Sequence, residues 1–185
     1  MKELEVTPNR LVFTWASIIT LILIVLIYVF EIVGVSQDSK LNYVSYLPFV
    51  FGVFIVIKSH RDQDLDGYIS FKRAFSAGFR YSSLLSLMLG LFMLIYLKWL
   101  NPSVMEKGMI VAENQMLDQG KSQGEVDAAM DIARRWGPVF AALRTSIMYT
   151  LTGALISVIF ALGLKKENPG FDSTDYETPE EDRQN

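Results

Sequence analysis

"LVFTWASIITLILIVLIYVF", residues 11–30, carries no charged side chain over its whole length. A helix rises about 1.5 Å per residue, so about 20 such residues cover the roughly 30 Å of hydrocarbon in a bilayer. A secretory leader is the rival reading, but its apolar core runs only about 7 to 15 residues and ends at a small-x-small cleavage site. This core is longer, and the "YVFEIVGVSQ" that overlaps its end offers a poor site. The stretch therefore reads as a membrane span. In lipid, backbone groups must be satisfied within each segment, which makes helices the expected form of everything that crosses with it.

Three further segments fit the same solvent. "LNYVSYLPFVFGVFIVI", residues 41–57, is short and contains Pro48, which predicts a kink or an interfacial continuation. Residues 78–99 are apolar after Arg80 and end in "YLKWL", where Tyr96 and Trp99 suit the headgroup level and Lys98 the water beyond it. Residues 139–164 close the set, bounded by Lys165 and Lys166. With the first span at 11–33, residues 1–166 read as an all-α integral membrane four-helix bundle. Residues 167–185 are acidic and nearly without aliphatic side chains, so they read as a disordered tail. The chain has no cysteine, which removes disulfide and thiolate chemistry. Its basic residues stand beside spans rather than in a stripe, which argues against nucleic acid as a partner.

Four crossings put both ends of the chain on one side. That side carries nine lysines and arginines near the spans, the other six, and most of the six lie in one long loop where the rule counts them little. Both termini are thus expected in the cytoplasm. The loop between spans three and four then lies outside, and over residues 103–136 it has a pattern of its own. Val104, Met105, Met109, Ala112 and Met116 recur at helical spacing, as do Val126, Met130 and Ala133 after the "DQGKSQG" turn. Ser122 and Glu125 have capping-box spacing. An extended extracytoplasmic helical hairpin follows, with Pro102 and Pro138 each expected to kink a helix or start one.

Candidate sites were weighed against plain structural roles. Asp62, Asp64, Asp66 and Gly67 open like a calcium loop, but the twelfth position, where a bidentate glutamate belongs, is Arg73. The stretch is better read as a polar turn after which Ser70 caps a short interfacial helix bearing Phe71 and Phe75. Glu31 and Arg144 fall at similar depth near the outer boundary, so an interhelical ion pair between them would spare each an isolated charge near hydrocarbon. Arg80 sits at the cytoplasmic end of its span, where snorkelling to phosphate accounts for it. Ser82, Ser86 and Gly90, and likewise Gly153, Ser157 and Ala161, step by four and form small-residue seams that let helices approach closely in lipid. His60 is the lone histidine, just past span two at the cytoplasmic face, and one imidazole without a positioned nucleophile reads as a surface residue. Zinc spacing, phosphate-binding loops and dinucleotide glycine patterns are missing, so neither catalysis nor a cofactor is expected.

"DGYISFKRAFSAGF", "YLKWLNP" and "QGKSQGEVDAAM", followed by a glycine-containing fourth span, resemble the bacterial four-span membrane proteins grouped as a domain of unknown function, family 4199. The resemblance covers roughly residues 8–166. It implies a bacterial inner-membrane location and four helices with a helical excursion between the last two, and it brings no known activity, cofactor or catalytic residue. The leading expectation is a non-enzymatic membrane protein that contacts lipid and either a membrane-protein partner or further copies of itself. The alternative is a small transporter or channel subunit in which Pro48, Gly52 and a Glu31 to Arg144 pair move; a third is calcium response at Asp62, Asp64 and Asp66.

Overall fold

A computed structural model describes residues 8–35, 40–65 and 67–166; the acidic segment 167–185 and Asp66 lie outside the described residues. Among the described residues there are five α-helices: α1 (Pro8–Val33), α2 (Tyr46–Asp64), α3 (Phe71–Ile95), α4 (Pro102–Asp118) and α5 (Gln123–Leu164). A 3-10 turn, Lys40–Ser45, leads into α2, and a π-helical turn, Tyr96–Leu100, closes α3. The helices that contain the four apolar stretches are each long and apolar enough to cross a membrane. Their outward faces are lined with large apolar side chains such as Leu21, Phe51, Leu87 and Leu155, each more than half exposed. In water such a surface would aggregate, whereas in lipid it faces its own kind. The chain is a multi-pass membrane protein by this architecture.

Of the three prolines in or beside the spans, Pro102 starts a helix as expected, while Pro48 and Pro138 do not interrupt theirs. Pro48 falls in the first turn of α2, where its missing N–H would have no intrahelical partner anyway. Pro102 is the first residue of α4, its favoured place. Pro138 lies inside α5, and the helix runs on through it. At about 1.5 Å per residue the 42 residues of α5 extend about 63 Å, twice what a bilayer core needs. The early turns of α5 hold Glu125, Asp127, Asp131, Arg134 and Arg135, so the crossing is confined to the apolar part that follows. Ser70 stands at the N-cap of α3 in extended conformation, yet no separate interfacial helix follows it. With no Pro between Phe71 and Ile95 to interrupt it, the predicted short helix and the third span are one element.

The core is organised around α3. Tyr81, Leu85 and Leu89 on α3 meet Ala16, Ile19 and Leu23 from α1 and Phe49, Val53 and Val56 from α2, all buried in one cluster. Aromatic contacts cross this cluster from helix to helix. Phe49 lies 6.1 Å from Tyr81 and 5.1 Å edge-on from Tyr149, which stacks on Tyr46 at 5.3 Å.

Helix α5 packs against α3 on the two rows of small residues, in one antiparallel register. A Cβ placed at Gly78 would overlap Ser157, one at Gly153 would overlap Ser82, and one at Gly90 would overlap Ser146. Between these contacts Ser86 Oγ and Thr150 Oγ1 are hydrogen-bonded at 2.7 Å, and Ser146 Oγ donates to the Ser86 carbonyl at 3.0 Å. The same register ends in two backbone bonds of 3.0 Å between Ile69 and Lys166, which fasten the start of α3 to the end of α5. Backbone contact this close is how helices gain packing energy where no water-driven force acts between them.

Helix α4 turns back against the first part of α5, with Met105 reaching the backbone of Gly137. The turn is a Schellman motif: Gly120, at φ +78°, donates to the Leu117 carbonyl, and Lys121 donates to that of Met116. Glu125 then accepts both the Ser122 backbone N–H and its hydroxyl at 2.9 Å, holding the first turn of α5.

Candidate functional site

The polar constellation with the most specific geometry lies where α1, the π-helical turn and α4 meet. Asn101 precedes Pro102, and a residue before proline is pushed out of helical backbone. Its φ and ψ, −145° and 71°, show that displacement. The helix has to stop there, and its last turn widens so that the Asn101 N–H reaches the Tyr96 carbonyl, five residues back, at 2.7 Å. Such π turns recur at functional sites because they re-aim side chains that a regular helix would hold elsewhere.

Here the turn presents Tyr96 and Asn101 to Glu31. The Tyr96 hydroxyl donates to Glu31 Oε2 at 2.6 Å, the Asn101 side-chain amide donates to Oε1, and the same amide lies 3.3 Å from the Tyr96 hydroxyl. Both carboxylate oxygens are thus engaged by donors from one widened turn. Tyr28 packs edge-on against Tyr96 at 5.7 Å, and Phe92 stacks on it at the same distance, so the phenol is held from two sides. On α1, the Gly34 N–H donates to the Glu31 carbonyl and the Val35 N–H to that of Phe30, a second Schellman closure that ends the helix directly beside the carboxylate. The site is therefore a fixed acidic group at one end of the bundle, with two neutral donors and an aromatic flank.

The ion pair expected between Glu31 and Arg144 does not form. Among the described residues Glu31 accepts from Tyr96 and Asn101, while Arg144 is exposed and has no carboxylate within ion-pair distance. Shared depth was the only reason to join them, and depth leaves the direction around each helix open. The partners that do reach Glu31 were harder to foresee, because Tyr96 and Asn101 are five apart and come to one spot only in a π turn. The "NP" that forces the turn is the one trace of it in the sequence.

The calcium reading fares no better. The backbone of Asp62 and Asp64 lies within α2, and Asp62 accepts from Arg61 at 2.7 Å. A calcium loop needs wrapped, non-helical backbone from its first ligand onward. Asp66, the third of the proposed ligands, lies outside the described residues. The helix-packing residues Ser82, Ser86 and Gly90 do meet α5, with Gly153 and Ser157 on the facing row and Ala161 buried further along it.

No curated protein and no solved structure matches the chain. A family model described as a protein of unknown function, DUF4199, matches residues 14–166, which takes in most of α1, the other three apolar helices, the Glu31 cluster and the α4–α5 turn. That match covers well over half of the sequence, and the chain belongs to this family.

Proposed function

We propose that the chain is a non-enzymatic integral protein of the bacterial inner membrane, with both termini in the cytoplasm and the α4–α5 hairpin outside as its protein-interaction element. The observation that carries this reading is the surface of α4. None of its residues is buried, and Ile110, Val111 and Leu117 are exposed on it, while Ile132 and Trp136 are exposed on the facing stretch of α5. Glu106, Lys107, Glu113 and Asp118 keep α4 out of hydrocarbon, so lipid does not cover those apolar side chains. A hairpin fixed by a Schellman turn and a carboxylate cap, yet carrying apolar side chains in water, is built to be covered by protein. The bundle itself supports a scaffold rather than a conduit, since the α3–α5 seam closes backbone to backbone.

The test is crosslinking in intact membranes from a photoreactive residue at Ile110. A symmetric adduct identifies a second copy, and a heavier mixed adduct identifies another membrane protein. Monomer alone from Ile110, with no adduct from a second probe at Val111 either, removes the proposal.

One observation favours a second reading, a small transporter or channel subunit. Glu31 is a carboxylate held at the end of a span by a π turn, an arrangement that can bind and release a cation. Flux into liposomes that is lost in Glu31→Gln supports it; equal flux in protein-free vesicles rejects it.

A further inference from the structure

The opposite end of the bundle holds a cavity of about 580 Å³ between the start of α1, the end of α2 and the start of α3. Lys72, Arg73 and Arg80 line it from α3, and His60 from α2. Their spacing explains the convergence: 72, 76 and 80 step by four along one face, with 73 and 77 beside them. No described acidic side chain lines the cavity, and among the described residues none of Lys72, Arg73 and Arg80 has a carboxylate within ion-pair distance. Asp62, the described acid nearest in sequence, is engaged by Arg61 instead.

Three cations gathered around one concave space repel each other, and each gains when an anion enters. Lys72 and Arg73 also stand in the first turn of α3, which has no acid to balance them, although cations there oppose the helix dipole. The other wall of the cavity is apolar, with Leu11 and Val12 from the first turns of α1. Arg80 lies nine residues into α3, about 13 Å along its axis. The cavity therefore runs from the level of the helix start towards the acyl region, with charge along one side and hydrocarbon along the other.

We propose that this cavity binds a phosphate anion, supplied by the headgroup of an anionic phospholipid whose acyl chain continues along the apolar wall. Basic pockets between spans recognise such headgroups through paired arginine and lysine donors. The proposal is independent of what the hairpin binds.

Native mass spectrometry of the full chain in mild detergent tests it, with phosphatidylglycerol, phosphatidylcholine and inorganic phosphate titrated separately. Phosphatidylglycerol is expected to be retained at least about tenfold better than phosphatidylcholine, and replacing Lys72, Arg73 and Arg80 by Gln together is expected to abolish that preference. Removing Lys98, Lys107 and Arg135 at the other end takes away the same charge and is expected to leave the preference within about twofold. Should the triple variant not fold, Arg73→Gln and Arg80→Gln are read singly, each expected to lower retention about threefold or more. Displacement of retained phosphatidylglycerol by millimolar inorganic phosphate supports the phosphate chemistry and assigns the headgroup as its point of contact; retention of inorganic phosphate by a chain that does not retain phosphatidylglycerol moves the source to the free anion and overturns the lipid assignment. Equal retention of both lipids, or equal loss in the control variant, overturns the site.

Discussion

Tyr96 donates its phenolic proton to Glu31 Oε2 over 2.6 Å, so the last turn of α1 and the π-helical end of α3 are joined through a single carboxylate. If that bond holds the two ends together, Tyr96→Phe lowers stability by about 1 kcal/mol, as does Asn101→Ala. A double-mutant cycle of Tyr96→Phe with Glu31→Ala, read by thermal unfolding in detergent, is expected to give a coupling above about 0.5 kcal/mol. Additive losses would mean that the two side chains are neighbours without a shared bond.

The α3–α5 seam predicts a contrast between two glycines of one helix. Gly153→Val drives a branched side chain into Ser82 and the Phe49 ring, and overpacking of that kind costs about 1 to 3 kcal/mol. At Gly163 an added Cβ meets nothing, so Gly163→Val is expected to leave the unfolding midpoint unchanged or raise it slightly. Equal effects at both positions would show that the close approach of the helices is not what α5 needs from Gly153.

How much of this was readable beforehand follows from which forces are local. The charge-free run 11–30 and its three companions announce crossing helices because length and transfer energy depend on one segment at a time. Small residues at four-residue steps are likewise visible on each helix separately, since the step is a property of the α-helix. What cannot be read is the direction in which a helix faces its neighbours. Glu31 and Arg144 were joined on depth alone, whereas Tyr96 and Asn101 reach the carboxylate through a widened turn that the pattern of "YLKWLNP" does not display as geometry. The cavity of Lys72, Arg73 and Arg80 was missed for a related reason. Arg80 has an adequate explanation alone, and its convergence with His60 requires α2 and α3 to pack at that end.

Tyr81 offers a test of a buried polar group. Its ring is fully buried, its hydroxyl sits over the backbone of Gly52, and among the described residues that oxygen has no hydrogen-bond partner. An unmet hydroxyl in the interior is a cost, so Tyr81→Phe is expected to leave the thermal midpoint in detergent unchanged or to stabilise the fold by up to about 1 kcal/mol. A clear loss of stability would reveal a partner for the hydroxyl.

The hairpin turn depends on one backbone conformation. Gly120 at φ +78° tolerates a side chain poorly, and Gly120→Ala is expected to cost about 1 kcal/mol locally. Hydrogen exchange over residues 116–126 is the sensitive reading, because the bundle far from the turn need not respond. Faster exchange confined to that window is the expected result; no change would mean that the turn contributes nothing to the order of α4.

The arrangement across the membrane can be decided with a chain that has no native cysteine to confuse the labelling. The backbone pairing of Ile69 with Lys166 places the start of α3 and the end of α5 at one end of the bundle, together with the basic cavity. The α4–α5 turn comes after the π-helical end of α3, a full span away. Basic residues are retained on the cytoplasmic side, so Gln119→Cys should react with a membrane-impermeant maleimide in intact cells, and Gln63→Cys only after lysis. The reverse pattern would keep four crossings but invert the protein, moving the hairpin and its partner into the cytoplasm. Reaction at both positions in intact cells would contradict the crossing itself, because no helix would then separate the two residues by a bilayer.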